Sequence, residues 1–351
     1  MIVEECPLLT CAAERSALGK LPDISIVIPT KDRPEDLANL LSTIISQCYP
    51  PLEVIIVDDS LLGSAKQIFD SFASKPASHL PKFVYLAGSK DGLTAARNQG
   101  VKKSRGNAVL FLDDDTLIDR TVVKSLATFL RNNPLVMGIQ PRVVSTEVDY
   151  NDAVPEFENA LRKALMISYY VKDESRARRS GSFVYPQPLT KVIPAQRFAG
   201  CCCCYRREVF NSLSFDTNLK RWGFSEDLDF SYRAYKKNPG SLFILPDIKI
   251  IHKSSPETRP AINPTIRMRT IHWYYLFFKN MFNGSMLNLL AFFWAIEGEL
   301  IFNLGDLVVR KGPKPDWWRL IYLIGSHIAA LRNLRDIIMG RLEFFSKTLS
   351  T

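Results

Sequence analysis

Short apolar runs alternate with segments of helical periodicity through the first third of the chain. The runs occupy residues 24–28, 53–57, 83–86 and 108–112. The segment after the first run opens with Pro34 and repeats leucine and isoleucine at every third or fourth position, which indicates an amphipathic helix. Strands that alternate with helices in this way predict an α/β fold with a Rossmann-like, doubly wound and mostly parallel sheet.

Polar clusters follow three of the predicted strands. They are the Pro-Thr-Lys-Asp-Arg run at 29–33, the Asp-Asp-Ser run at 58–60 and the aspartate triplet at 113–115. In doubly wound sheets, ligands bind beyond the carboxyl ends of the strands. We therefore predict that the three clusters share one rim of the sheet and form a site.

The triplet Asp113, Asp114 and Asp115 is a candidate metal site. Three adjacent carboxylates repel one another, and Mg²⁺ or Mn²⁺ relieves the repulsion while bridging to substrate phosphates. A solvated turn in which Asp115 or Thr116 caps a helix is the alternative, and the triplet alone does not decide.

A second acidic pair, Asp58 and Asp59, has the form of a nucleotide contact. Carboxylates at a strand end accept hydrogen bonds from ribose hydroxyls or from a base. A helix cap is the common role of such a pair, but two acidic clusters on one rim favour nucleotide binding.

A later helix is predicted to begin near Glu226, with Glu226 and Asp227 in its first turn. The helix dipole stabilises an anionic carboxylate there, as a general base requires. Capping of the helix is the alternative.

The last ninety residues change character. Basic residues interleave with tryptophan, tyrosine and phenylalanine after Pro260, which predicts a helical extension over residues 259–351. The best candidate for a membrane span, residues 280–296, is followed by Glu297 and Glu299 and falls short of the required length of about 20 apolar residues. Interfacial helices on an anionic membrane are favoured over packing on the catalytic domain or an oligomer interface, and all three stay open.

The net charge of +9 calls for an anionic partner, which leaves nucleic acid, anionic lipid and a phosphorylated substrate. Nucleic acid is disfavoured because the basic and aromatic residues lie in apolar helices rather than on an exposed strand platform. The N-terminus lacks a secretory signal, so a cytoplasmic protein is expected, peripheral to the membrane if the helices bind lipid.

The run of four cysteines at 201–204 is predicted to pack on a buried strand, because alternate side chains of a strand cannot share one tetrahedral ion.

Six stretches occur together in one order: ISIVIPTKDRP, VDDS, GLTAARNQG, FLDDDT, CYRREVF and WGFSEDLDFSYRAY. Over about residues 24–252 the chain resembles the family-2 glycosyltransferases with a GT-A fold. The resemblance implies an inverting enzyme that uses a divalent cation, Mn²⁺ or Mg²⁺. Such an enzyme moves a sugar from a nucleoside-diphosphate sugar to a hydroxyl of a glycan, a glycolipid or a lipid-linked acceptor.

The same resemblance implies a domain division. Residues 1–22 would be a tail, and residues 23–258 the catalytic domain. Within that domain, residues 23–143 would bind the nucleotide sugar and residues 144–258 the acceptor.

The resemblance also assigns roles to matching residues. It implies a nucleotide-sugar pocket formed by Pro29, Thr30, Arg33, Asp58, Asp59, Arg97, Asn98, Asp113 and Asp114. Asp59 would contact the base, Asp114 the ribose or sugar, and Arg97 the diphosphate. For Arg97, a place on the helix surface is the alternative.

For catalysis, the resemblance implies Asp227 as the base and Glu226 as a contact to acceptor or sugar hydroxyls. Trp222 and Gly223 would lie on the acceptor side. The metal would be held by Asp113, Asp115 and His252, with Asp115 favoured over Asp113 as the direct ligand. A histidine at a similar spacing binds metal in galactofuranosyltransferases, whereas a lone histidine beside a lysine is usually a surface residue.

Two other functions are the alternatives to a glycosyltransferase. A non-catalytic nucleotide-sugar-binding module has no use for a general base such as Asp227. A nucleotidyltransferase would show a glycine-rich loop after the first strand, and residues 29–33 contain no glycine.

Overall fold

The computed structural model describes residues 21–75, 80–145, 154–255, 262–309 and 317–342. The tail predicted for residues 1–22 lies outside these ranges except for its last two residues, so its role stays a prediction.

Twelve strands occur in the described residues. They are β1 (Ile24–Thr30), β2 (Glu53–Asp58), β3 (Lys82–Ala87), β4 (Ala108–Leu112), β5 (Thr116–Ile118), β6 (Gly138–Ser145), β7 (Tyr169–Val171), β8 (Arg176–Ala177), β9 (Phe183–Pro186), β10 (Ile193–Pro194), β11 (Cys202–Arg206) and β12 (Leu242–His252). The four strands predicted in the first third of the chain are β1 to β4.

Ten α-helices accompany them in the same ranges. They are α1 (Pro34–Ile45), α2 (Lys66–Ala73), α3 (Leu93–Lys103), α4 (Val122–Asn132), α5 (Glu156–Ala164), α6 (Glu226–Lys237), α7 (Ile262–Leu276), α8 (Met286–Val309), α9 (Trp317–Arg332) and α10 (Leu334–Ile338). The predicted helix at Glu226 is α6.

The main sheet has the order β10-β12-β6-β11-β4-β1-β2-β3, with β5 paired to β12. Strands β1 to β4 pair in parallel, whereas β11 runs antiparallel between β4 and β6. All seven residues of β1 are buried, as expected for a parallel strand covered on both faces. The predicted α/β class with a mostly parallel sheet is confirmed, and β7, β9 and β8 form a separate small sheet.

The cysteine run lies on β11 and its entry. Cys202 and Cys204 pack in the core on one face of the sheet, while Cys203 packs in the core on the other face. Burial raises the pKa of all four thiols, from Cys201 to Cys204. These cysteines pack as small apolar residues, as the sequence predicts.

The segment just before β11 does not pair as a strand. Strand pairing begins only at Cys202. The backbone N–H groups of Phe198, Ala199 and Gly200 instead donate to the side chains of Ser231, Gln140 and Asp227. Side-chain acceptors therefore replace strand partners at the point where the segment reaches the site.

The helical extension packs against the catalytic part of the chain. Leu219 shares a buried cluster with Met268, Ile271 and Tyr274 of α7 and with Phe292 of α8. The extension is therefore integral to the core, which is one of the alternatives predicted for it.

Helix α8 is longer than the sequence suggested. The predicted apolar segment stopped before Glu297, but the helix continues through Glu299, whose carboxylate lies 3.4 Å from His327 Nε2. The stretch Met286–Gly305 has a mean hydropathy of 1.4, and only 28% of its most apolar window is buried. By length and composition it is sufficient to cross a membrane, so the expectation that no segment reaches that length was wrong.

Candidate active site

The ends of β1 and β4 meet at one rim of the sheet. Thr30 Oγ1 donates to Asp114 Oδ2 at 2.8 Å, and Arg33 Nη1 lies 3.2 Å from Asp114 Oδ1 and 3.4 Å from Asp115 Oδ2. Burial raises the pKa of Asp114 to about 7, although Arg33 and Thr30 act to lower it. Parallel pairing of β1 with β4 produces this meeting, because it brings both carboxyl ends to the same edge.

Two carboxylates of the aspartate triplet and one histidine form a candidate metal centre. Asp113, Asp115 and His252 each offer a ligand atom, and these atoms lie within 4.8 Å of one another. His252 Nε2 lies 3.1 Å from Asp115 Oδ1. The register of β12 against β5, which pairs His252 with Thr116, brings the histidine to the triplet.

This donor set fits a divalent cation. Two carboxylates and one imidazole suit Mn²⁺ and related ions, and they leave positions for substrate oxygens. The triplet itself does not precede a helix: β5 begins at Thr116, which excludes the helix-capping alternative for Asp115.

Arg97 has a role that the sequence did not predict. Its side chain is fully buried, with Nη1 2.5 Å from Glu226 Oε1 and Nη2 3.0 Å from Asp113 Oδ1. Burial alone would lower its pKa, but Glu226 and Asp113 raise the pKa further, so the guanidinium stays charged. Burial contradicts the helix-surface alternative, because Arg97 joins Asp113 of the metal cluster to Glu226 of α6. The contact of Arg97 to a diphosphate stays a prediction.

Glu226 lines the cavity and is paired with Arg97. It is 5% exposed, and its Oε1 accepts the hydrogen bond from Arg97. Burial raises the pKa of Glu226, Asp227 adds to the rise, and Arg97 opposes it. The ion pair fixes the first turn of α6, and the contact of Glu226 to acceptor or sugar hydroxyls stays a prediction.

Asn98 on α3 and Asp58 at the end of β2 were also predicted to bind nucleotide, and both contact other parts of the protein. The Asn98 amide exchanges two hydrogen bonds of 2.9 Å with the backbone of Phe215. Asp58 is 1% exposed and accepts from Ser60, Ala65 and Tyr85. Both side chains therefore hold neighbouring segments in place, and their contact to a nucleotide stays a prediction.

Asp59 keeps the position predicted for it. Its two oxygens accept from the backbone N–H groups of Lys90 and Gly92, at 2.7 and 3.2 Å. A Cβ at Gly88 would lie 2.5 Å from Asp59 Oδ1, so this close approach requires a glycine. The half-buried carboxylate lies at the rim next to Thr30, whose carbonyl oxygen accepts from Asp59 N, and Pro29 pairs with Val57 of β2.

Asp227 lines a cavity of about 790 Å³ together with Asp113 and His252. Its Oδ2 accepts from Gly200 N at 2.9 Å and its Oδ1 from Leu228 N at 2.8 Å. A Cβ at Gly200 would lie 2.7 Å from Glu226 Oε1, so a larger residue there would displace the acidic pair. The sequence analysis missed Gly200, whose only signal was its position just before the cysteine run.

Trp222 and Gly223 lie at the edge of the same cavity, next to α6. Trp222 lines the cavity and is 38% exposed. Gly223 has a φ of +63°, a conformation that favours glycine. The loop before α6 is anchored by a bridge between Gly92 and Arg221, and the place of both residues on the acceptor side stays a prediction.

Solved structures with the same architecture identify the class of protein. The chain is similar to residues 1–349 of Staphylococcus aureus TarS, with a TM-score of 0.53 and 17% identity over 93% of this chain and 87% of that one. It is also similar to the mannosyltransferase PcManGT from Pyrobaculum calidifontis, solved with GDP-Man and Mn²⁺, with a TM-score of 0.53 and 16% identity over 96% and 92% of the two chains. The fold is that of a GT-A glycosyltransferase.

The sequence identifies the family. The profile described as Glycosyl transferase family 2 matches residues 25–214, more than half of the chain. The chain belongs to glycosyl transferase family 2, as its motifs predicted.

Curated relatives match over shorter stretches. An N-acetylglucosaminyltransferase from Azorhizobium caulinodans is 29% identical over 135 residues, 38% of this chain and 33% of the relative. Glycosyltransferase AglE from Haloferax volcanii is 31% identical over 97 residues, 27% of this chain and 31% of the relative. The match therefore spans about a third of each relative's length.

Proposed function

We propose that the protein is an inverting, metal-dependent glycosyltransferase that takes a nucleoside-diphosphate sugar as donor. The observation that carries the proposal is the convergence of Asp113, Asp115 and His252 at one end of the cavity that also contains Asp227. PcManGT, of similar fold, was solved with GDP-Man and Mn²⁺, and TarS was solved with UDP.

The donor site combines the metal cluster with the rim. Asp113, Asp115 and His252 would hold the cation, and Asp59 would contact the base. When bound, the cation supplies Lewis-acid stabilisation of the departing diphosphate. Thr30 and Arg33 fix Asp114 beside the cluster, where it faces the ribose or sugar.

Asp227 acts as the general base. The backbone donors of Gly200 and Leu228 fix its carboxylate at the cavity wall. From there it removes the proton of the acceptor hydroxyl, whose oxygen attacks the anomeric carbon as the nucleoside diphosphate departs from the opposite side. One displacement inverts the anomeric configuration.

Turnover with water as the acceptor tests this proposal. The purified chain would be mixed with Mn²⁺ and a panel of UDP, GDP and dTDP sugars, and nucleotide release would be followed. For the active donor, proton NMR of the first sugar released would show the opposite anomer to the donor. Retention of configuration would contradict the single displacement. If no donor is consumed and no nucleoside diphosphate binds, the proposed function is wrong.

We further propose that the extension contacts a membrane surface and that the acceptor is a sugar or a lipid-linked sugar. Two helices expose large apolar side chains: Met286, Leu287, Leu290, Phe293, Trp294, Ile301 and Leu304 on α8, with Trp317, Trp318, Ile321, Tyr322, Ile324, Ile328 and Leu331 on α9. Tryptophan and tyrosine of this kind prefer the headgroup region, and the positive net charge favours anionic lipid.

Vesicle co-sedimentation with phosphatidylglycerol tests the membrane contact. Truncation before α7 is unsuitable because α7 belongs to a buried cluster. The double variant Leu287→Glu with Leu290→Glu should abolish co-sedimentation, whereas Leu135→Glu, at an equally exposed leucine elsewhere, should not. Unchanged co-sedimentation of the double variant would place any lipid contact on another surface.

A further inference from the structure

The cavity that contains Asp227 is also lined by residues of the small sheet and of the helical extension. Besides the acidic residues, its lining includes arginine and aromatic side chains, which form the basic cleft: Arg142, Arg162, Tyr170, Tyr185, Arg197 and Phe302. None of these residues has a part in the donor site. The charge of this cleft differs in sign from the acidic donor end.

Arg197 is the most buried arginine of this cleft. Its side chain is 8% exposed and stacks over the Tyr185 ring at 4.3 Å. Nη2 donates to Phe198 O at 3.3 Å, but Nη1 is buried without a hydrogen-bond partner. No carboxylate forms an ion pair with Arg197 within the described ranges.

A buried arginine without a counter-charge is unfavourable. A guanidinium stays charged in proteins, and desolvation of an unpaired charge costs several kcal/mol. Arg97, which is also buried, shows the usual solution, because Glu226 and Asp113 neutralise it. At Arg197 an anionic ligand would provide the same compensation, and phosphate suits the planar guanidinium through paired hydrogen bonds.

The position of Arg197 relates it to the catalytic base. Gly200, three residues further along the chain, donates to Asp227. The α-carbons of Arg197 and Gly200 are separated by at most about 10 Å, because an extended chain spans no more than that over three residues. Burial raises the pKa of Tyr170, and the charges of Arg162 and Arg197 act against that rise, so both arginines lie near this ring. Arg197 and the proposed base therefore line one cavity and are joined through the backbone from Arg197 to Gly200.

We propose that Arg197 binds a phosphate ester carried by the acceptor, next to the sugar or polyol unit whose hydroxyl Asp227 deprotonates. This inference rests on the proposed function and narrows its acceptor to an anionic one. The phosphate belongs either to a lipid headgroup or to a soluble polyol or sugar phosphate, and the chemistry that Arg197 recognises is the same.

Calorimetric binding of two phosphomonoesters tests the proposal. The full chain would be titrated with glycerol 3-phosphate and with dihexanoyl phosphatidic acid, in EDTA and with glycerol as the neutral control. The variant Arg197→Gln should weaken binding of both esters roughly 10- to 100-fold, because it removes charge-assisted hydrogen bonds. Arg197→Lys keeps the positive charge but lacks the paired N–H donors of the guanidinium, so it should retain part of the affinity.

Arg178→Gln is the matched control. Arg178 also stacks on a tyrosine, at 4.7 Å from Tyr169, but it donates to Ile167 O and Lys163 O. This variant should bind both esters as wild type does. Equal loss in Arg178→Gln, unchanged binding in Arg197→Gln, or no binding to wild type would each overturn the proposal.

The two esters also distinguish the source of the phosphate. Tighter binding of the lipid by tenfold or more supports a lipid-linked acceptor, and equal binding supports a soluble one. Nucleoside-diphosphate binding with Mn²⁺, measured on the same samples, separates the two hypotheses. If the esters bind but no nucleoside diphosphate binds, the phosphate subsite is supported and the proposed function is refuted. If a nucleoside diphosphate binds but neither ester binds, only the phosphate subsite is refuted.

Discussion

The two ends of the cavity treat buried charge in opposite ways. At the donor end, Arg97 is neutralised by Glu226 and Asp113, and Arg33 by Asp114 and Asp115. At the acceptor end, Arg197 is buried without an ion pair among the described residues. A charge network that is complete without substrate holds its geometry in advance, whereas an incomplete one waits for a ligand of opposite charge.

The donor end also explains why the acidic pair of α6 divides its work. Glu226 faces Arg97 and is fixed, while Asp227 faces the cavity and is held only by backbone donors. Neighbouring residues on one helix therefore serve as a support and as a candidate base.

The largest expected effect is on the chemical step. Replacing the base, Asp227→Asn, should lower turnover about 10²- to 10⁴-fold, because a positioned general base contributes that much. Nucleoside-diphosphate affinity should stay within a few-fold of wild type, as measured by calorimetry. Asp70→Asn, at an exposed aspartate, is the control. A loss of nucleotide binding in Asp227→Asn would move this residue to the donor end.

The charge network predicts a loss of stability next. Arg97→Met leaves Glu226 buried without its partner and should lower the free energy of unfolding by about 3 to 5 kcal/mol. Urea unfolding followed by circular dichroism measures it. Lys66→Met breaks an exposed pair with Asp70 and should change stability by less than about 1 kcal/mol. Equal effects of the two substitutions would show that the network does not hold the donor end.

His252→Ala should weaken Mn²⁺ binding by at least about 10-fold. Loss of a residue that only hydrogen-bonds to a metal ligand typically costs that much affinity, and a direct ligand should contribute no less. Isothermal titration with MnCl₂ gives the value. The control is His327→Gln, in the helical extension. Unchanged Mn²⁺ affinity in His252→Ala would return His252 to the role of a structural partner of Asp115.

The smallest effect concerns the support of Asp114. Thr30→Val removes its hydrogen bond and should lower the free energy of unfolding by about 1 kcal/mol, since a neighbouring acceptor then lacks a donor. Ser42→Ala removes an exposed hydrogen bond within α1 and serves as the control in the same urea titration. Identical unfolding midpoints for wild type and Thr30→Val would show that Arg33 alone suffices to hold Asp114.

The sequence predicted that polar residues meet at the rim of the sheet, because these residues occur in continuous motifs at strand ends. Parallel strands bring such ends together, so the meeting of Thr30, Asp114 and Asp115 follows from the strand pattern. The α/β class and the buried cysteine strand were predictable for the same reason, since both depend on local alternation.

The buried charge network depends on distant residues that carry no local signal. Arg97 and Glu226 are 129 positions apart, and nothing near either residue announces the pair. Asp58 and Asn98 each belong to a motif, but the motif does not show their contacts within the protein: Asp58 accepts from Tyr85 on the neighbouring strand, and Asn98 bonds the backbone of Phe215, 117 positions away. The predicted apolar segment stops before Glu297 because Glu297 and Glu299 are charged. The helix extends past both residues.

Calorimetric titration of UDP, GDP and dTDP, each with and without Mn²⁺, tests the central claim most directly. Wild type should bind one of these nucleotides in a Mn²⁺-dependent way, and Asp115→Ala should lose the dependence on Mn²⁺ while remaining folded. If folded wild type binds none of them, or if Asp115→Ala retains full Mn²⁺ dependence, the metal-assisted donor site at the end of β4 is contradicted.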